Sequence, residues 1–230
     1  MVMAPNLFNS IPFFNGLSDE TLAELLQTSR TADFSAGQTL LRNGDKPNNL
    51  IIVLAGIIQL NELADDGRVI SISYAGSNDL LAWLSIIDNK PTSQTIVTAS
   101  ASKVLICPID LVQKLVANNA LVANRFLSLA ANSIRRIEQA RALLSLPNAF
   151  HRVFVQISLL SADAKSGATS LPKQQDIANA VNTSRETVSR ALQMLIKKGV
   201  LHKVGHQIVI RHPDKLQMLA MDGPEAMITD

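Results

Sequence analysis

Between Lys173 and Ile210 the chain sets out a helix, a tight turn, a second helix and a pair of strands with no residue left over. Residues 174–181 read as a short helix with Ile177, Ala178 and Val181 facing inward. Asn182 and Thr183 make the corner, and asparagine tolerates the left-handed backbone that such a corner demands. Thr183, Ser184, Arg185 and Glu186 form a capping-box pattern that leads into a helix burying Val188, Leu192 and Leu195. Lys197, Lys198 and Gly199 end that helix with the charge and glycine expected at a C-terminus. Two strand-like runs, 200–203 and 207–210, are joined through Val204, Gly205 and His206 as a wing. This succession predicts a winged helix-turn-helix.

The polar side of the second helix carries Arg185, Glu186, Ser189 and Arg190 at four-residue spacings, so all four project from one face near its N-terminus. A recognition helix needs that arrangement because its first turns enter the major groove. Ser184 and Thr183 at the cap, Lys173 at the start of the first helix and Lys203 on the wing complete the expected DNA-contacting set. The same spacing also makes Glu186 and Arg190 an ordinary i,i+4 pair on an exposed helix. Charge points the same way as the motif. Residues 171–215 hold eight Lys and Arg against three acids and three of the four histidines, while the whole chain carries only +2. A basic module on a mildly acidic body suits a polyanionic partner, although a solvated basic surface would give the same excess.

Residues 18–30 open with a cap and two acids and read as a short helix. From 31 to 108, short Val/Ile/Leu-rich runs alternate with turn residues at 36–37, 43–45, 55–56, 65–67 and 76–79, which predicts an antiparallel sandwich or barrel. Residues 110–146 lack Gly and Pro and read as one helix. Along it Phe126, Ala130, Ser133, Ile137, Ala140 and Leu144 repeat at four and three residues, the seam of a two-stranded coiled coil; the seam could instead pack on the protein's own sheet. Pro147 and Asn148 stop the helix at a hinge, 149–162 resume one, and 163–170 form a polar loop. The chain is therefore expected to be α+β, with a β-rich domain and flanking helices at 1–117, a dimerisation helix at 118–146 and a DNA-binding domain at 147–230.

The segment from Ile177 to Arg190 resembles the DNA-binding signature of the Crp/Fnr superfamily. The resemblance implies that Arg185, Glu186 and Arg190 read bases, with Ser189 close by. More loosely, glycines 37, 44, 56 and 67 resemble the turns of the cyclic-nucleotide-binding β-roll, and 110–146 resembles the dimerisation helix. The family usually opens the first helix of the motif with Thr or Ser; here Leu171, Pro172 and Lys173 stand there, with Pro172 suited to a first helical position. Members that bind cyclic AMP carry a phosphate cassette, a Gly-Glu pair for the ribose and an Arg-Ser pair for the phosphate. Here Ala82-Trp83 and Ser93-Gln94 replace them, and the only cation of the stretch is Lys90. Burying a phosphate without a paired cation is too costly, so cyclic-nucleotide sensing is not expected.

The expected function is that of a homodimeric, sequence-specific transcription regulator binding palindromic double-stranded DNA with half-sites of the TGTGA or TTGA type. RNA polymerase would be a further partner, and the effector is either unknown or absent. The expected location is the cytoplasm, because the longest apolar run, 50–58, is too short to cross a membrane and no secretory signal is visible. One cysteine, Cys107, rules out an internal disulfide or a multi-cysteine cluster. No cofactor is expected. Cys107-Pro108 reads as a strand end rather than a thiolate haem motif, and Trp83 and Tyr74 are candidates for an apolar effector pocket. One rival is a cupin-type metalloenzyme, which would need histidines inside the barrel; none precedes position 151. The other is a β-roll sensory module acting on a protein partner, against which the intact Arg185, Glu186 and Arg190 set argues. No enzymatic activity is expected.

Overall fold

A computed structural model describes residues 6–63, 69–162, 171–204 and 207–223. The turn at 65–67, the loop at 163–170 and the wing tip at Gly205-His206 lie outside the described residues. Residue contacts separate into two units, Met1–Ser133 and Ile134–Asp230.

The first unit opens with α1 (Asn6–Asn9), a 3-10 turn (Pro12–Phe14) and α2 (Asp19–Thr28), whose cap Ser18 accepts from the Thr21 N–H. Eight strands follow: β1 (Arg30–Phe34), β2 (Thr39–Leu41), β3 (Asn49–Ala55), β4 (Ile58–Leu63), β5 (Val69–Ala75), β6 (Leu80–Leu81), β7 (Thr95–Thr98) and β8 (Ser102–Pro108). They pair antiparallel in two four-stranded sheets, β1-β8-β3-β6 and β2-β7-β4-β5. The apolar run at 50–58 is explained by β3, which is buried on both faces. Leu50 and Ile52, with Leu105 and Cys107 of β8, pack against the helices. Ile51 and Val53, with Val104 and Ile106, pack into the space shared by the sheets. Period-two geometry sends neighbours to opposite faces, so only a doubly covered strand can be apolar throughout. Gly56 at φ +94 is required: a Cβ there would lie 2.5 Å from the Ala101 carbonyl oxygen.

Between β6 and β7 lies α3 (Trp83–Asp88), and after β8 come α4 (Ile109–Asn118) and α5 (Ala120–Leu144). The single helix expected over 110–146 is thus two. Asn119 leaves helical geometry at φ −128. Its N–H closes α4 on the Leu115 carbonyl, and its Oδ1 accepts from Leu121 N–H at 3.0 Å and Val122 N–H at 3.2 Å, capping α5.

The second unit takes in the end of α5, then α6 (Ala149–Ala162), α7 (Gln174–Ala180), α8 (Arg185–Lys197), the hairpin β9 (Leu201–Val204) and β10 (Gln207–Ile210), and α9 (Pro213–Asp222). Its core joins Leu143, Val153, Phe154 and Ile157 to Ile177, Val188, Leu192 and Leu195. The segment expected to be a hinge is fastened. Arg152 donates to the carbonyls of Val181 at 2.8 Å, Leu146 at 2.7 Å, Pro147 at 3.3 Å and Asn182 at 3.2 Å. One guanidinium therefore ties the end of the preceding segment to the helix-turn-helix corner.

Candidate nucleic-acid interface

The corner is built as its residues require: Asn182 takes φ +48, and the Thr183 N–H returns to the Ala178 carbonyl at 3.0 Å. The cap falls one residue later than the Thr183 pattern predicts. Ser184 is the N-cap of α8, accepting from the Thr187 N–H at 3.1 Å. Glu186 is therefore not the residue that closes the box; Thr187 stands in that place. Lys173 is the N-cap of α7, without a side-chain bond, so Pro172 lies just outside that helix rather than in its first position.

On α8, Val188, Ala191, Leu192 and Leu195 are buried while Ser184, Arg185, Glu186 and Arg190 are exposed and Ser189 and Thr183 half-buried. Its own backbone N–H, the Ser184 hydroxyl and then Arg185 and Arg190 hold the Glu186 carboxyl below its ordinary pKa. Glu186 and Arg190 are both exposed, and among the described residues no ion pair within 4 Å joins them. Lys203 is exposed on β9, opposite Ile208 in the hairpin register. The α8 side chains form one polar surface; Lys173 and Lys203 sit on separate elements of the same unit.

Of the six residues expected to form a seam on α5, Ala130, Ser133, Ile137, Ala140 and Leu144 are partly or fully exposed and Phe126 is not. Phe126, read as its first member, is 3% exposed and packs into the first unit, edge-on to Phe13 at 5.1 Å and tilted against Trp83 at 6.5 Å. Aromatic burial against its own core leaves Phe126 no free surface. Ser133 is half-buried. The exposed apolar side chains are Leu127, Ile134, Ile137 and Leu144, with Ala130 partly and Ala140 fully exposed between them. Leu127 and Ile134 were missed because a seven-residue repeat is matched equally well by 126 and 133.

The proposed pocket residues do not share one environment. Trp83 packs against the core beneath α5, whereas Tyr74 is 41% exposed on β5 in the other sheet. In the stretch corresponding to the phosphate cassette, Lys90 is exposed and lies 3.9 Å from Asp88, its charge facing an acid. Ala82 caps α3 in the left-handed region at φ +54. A side chain there is strained by roughly 1 kcal/mol, so Ala82→Gly should raise stability by about 0.5–1 kcal/mol in urea unfolding. A loss instead would mean that packing of the methyl outweighs the strain. Cys107 is buried on β8, and burial pushes its thiol up to about 11, which keeps it protonated. Among the described residues no group of three or more His, Cys, Asp or Glu could hold a metal, and no helix is long and apolar enough to cross a membrane.

Two family models match separate stretches of the chain. The model of the cyclic nucleotide-binding domain matches residues 31–119, and that of the Crp-like helix-turn-helix domain matches 140–219. The chain is 24% identical to the CRP-like cAMP-activated global transcriptional regulator of Mycobacterium tuberculosis, over 88% of this chain and 93% of that protein. It is 25% identical to the cyclic AMP receptor protein of Thermus thermophilus, over 91% of this chain and 96% of that one. Among solved structures, FixK2 from Bradyrhizobium japonicum superimposes with a TM-score of 0.73 at 22% identity, covering 84% of this chain and 97% of that one.

Proposed function

The chain belongs to the Crp/Fnr family of transcription regulators, and we propose that it binds a two-fold symmetric DNA site as a homodimer without control by cyclic AMP. The observation that carries the reading is the α8 surface: Arg185, Glu186 and Arg190 exposed on a capped helix whose other face is buried, after a left-handed corner and before a wing. Arginine can donate two parallel hydrogen bonds to guanine O6 and N7, and a glutamate held ionised can accept from the cytosine amino group. Ser184, Thr183, Lys173 and Lys203 would hold phosphates and fix the register. Pairing of two chains along the exposed stripe of α5 would set two recognition helices about 34 Å apart, one turn of DNA. RNA polymerase as a partner, a cytoplasmic location, the absence of enzymatic activity and the division into sensor, dimer helix and DNA-binding domain near 117 and 146 all follow from this reading.

Loss of cyclic-nucleotide control follows from charge. The cassette stretch lacks an acid for the ribose and a guanidinium for the phosphate, and its one cation faces Asp88. Gel shifts test both halves together. Arg190→Ala should weaken binding to the specific site by roughly 1–3 kcal/mol and barely affect random DNA. Lys203→Ala should weaken both and reduce the salt slope by about one. Added cyclic AMP should change neither. Equal losses on both DNAs for Arg190→Ala would remove the base-reading role, and tighter binding with cyclic AMP would restore the cassette.

A further inference from the structure

The first unit contains a cavity of about 190 Å³ lined from both sheets of the roll, by residues of β1, β3 and β8 on one side and β2 on the other. Its walls are apolar: Phe34, Leu40, Leu41, Ile51, Val104 and Ile106, all belonging to the cluster that fills the roll. Its solvent-exposed lining residues are Arg30 and Asn48, with half-buried Asn49 beside them. Strand register explains how a cation comes to stand there. Arg30, Ala32 and Phe34 alternate along β1, and the latter two pack in the roll interior, so Arg30 projects from the inward face. Across the sheet Arg30 is paired with Ile106, and Ile106 with Ile51, both in the cavity wall. Arg30 is the first residue of the strand, so its stem lies on the core-facing row while its head group reaches solvent beside the apolar wall. Among the described residues the Arg30 guanidinium has no hydrogen bond or ion pair.

We propose that this end of the roll is a binding site for a small monocarboxylate with an aliphatic body. The hydrocarbon enters between the sheets, and the carboxylate takes two parallel hydrogen bonds from Arg30, with the Asn48 and Asn49 amides beside it. A planar guanidinium matches a carboxylate in charge and geometry. The volume fits as well: a cavity of about 150 Å³ holds a benzene ring, so this one takes a chain on the order of six carbons and is too small for a nucleotide. The site uses none of the cassette residues Ala82, Trp83, Ser93 or Gln94. It stands on the roll alone and is tested without DNA, so its failure leaves the DNA-binding reading intact.

The test is titration of the full chain with hexanoate, followed by methyl NMR. Saturable shifts are expected at Ile51, Val104 and Ile106, with a dissociation constant between about 0.1 and 5 mM for a ligand of this size. Arg30→Gln replaces an exposed head group without disturbing the core, and should weaken hexanoate at least about tenfold while leaving hexan-1-ol binding nearly unchanged. An unaltered methyl spectrum for that variant would establish that it folds. No saturable shift up to about 20 mM would overturn the proposal. So would shifts confined to other methyls, or equal hexanoate affinity in Arg30→Gln, which would leave Arg30 as a stem covering apolar surface with its charge in water.

Discussion

Ile137→Asp should leave a folded protein that is monomeric at micromolar concentration and has lost specific DNA binding. Ile137 is 68% exposed on α5, in line with Leu127 at 66% and Ile134 at 57%. Apolar side chains this exposed and in one stripe contribute nothing to the fold of a single chain, so replacing one spares the core. Across a two-fold axis the substitution would bury two facing carboxylates, a penalty of several kcal/mol and roughly a thousandfold or more in dimer affinity. Sedimentation equilibrium of wild type, Ile137→Asp and the off-stripe control Gln139→Asp would read this directly. A wild type that is monomeric and binds the specific site fully would end the dimer reading, as would an Ile137→Asp protein that stays dimeric.

Arg152→Met should be the most destabilising single change in the second unit that removes no core side chain. Methionine keeps much of the apolar stem but none of the four hydrogen bonds. Water can replace those to the more exposed Pro147 and Asn182 carbonyls. The part-buried carbonyls of Val181 and Leu146 would lose their donor, at about 1–3 kcal/mol each. For a unit of this size a loss of about 2–4 kcal/mol lowers its melting temperature by roughly 10–20 °C. Arg152→Lys should recover only a fraction, since an ammonium cannot span the same carbonyls. Calorimetry showing a shift below about 3 °C for Arg152→Met would mean that the corner is held by packing alone.

The helix-turn-helix was readable from the sequence because its signals are local: a left-handed asparagine, a cap and buried positions at helical spacing all lie within a few residues. Even so, two adjacent hydroxyl residues, Thr183 and Ser184, offered two frames for the cap, and the structure uses the second. The two-sheet character of 31–108 was readable as texture, but its pairing was not. β1 joins β8 across most of the unit, Arg30 opposite Ile106, and no neighbouring residue announces that partner. Hence the inward position of Arg30 stayed hidden. Phe126 was read onto the free side of α5 because periodicity shows that a helix has an apolar side but not which of its residues the protein's own core takes up. Asn119 splits the long helix with a side-chain cap that one residue in an otherwise helical run does not advertise. The last helix, α9, was not anticipated, although Pro213 at its start and Leu216 and Leu219 at helical spacing were in view.

The doubly covered strands β3 and β8 form a party wall between two compartments. Ile51 and Ile106 face the roll; Leu50 and Cys107, one residue away along the same strands, face the cluster that seats Phe126 at the base of α5. Close-packed interiors yield little, so an occupant that spread the roll would have to move the wall as a whole, and with it the packing around Phe126 on the far side.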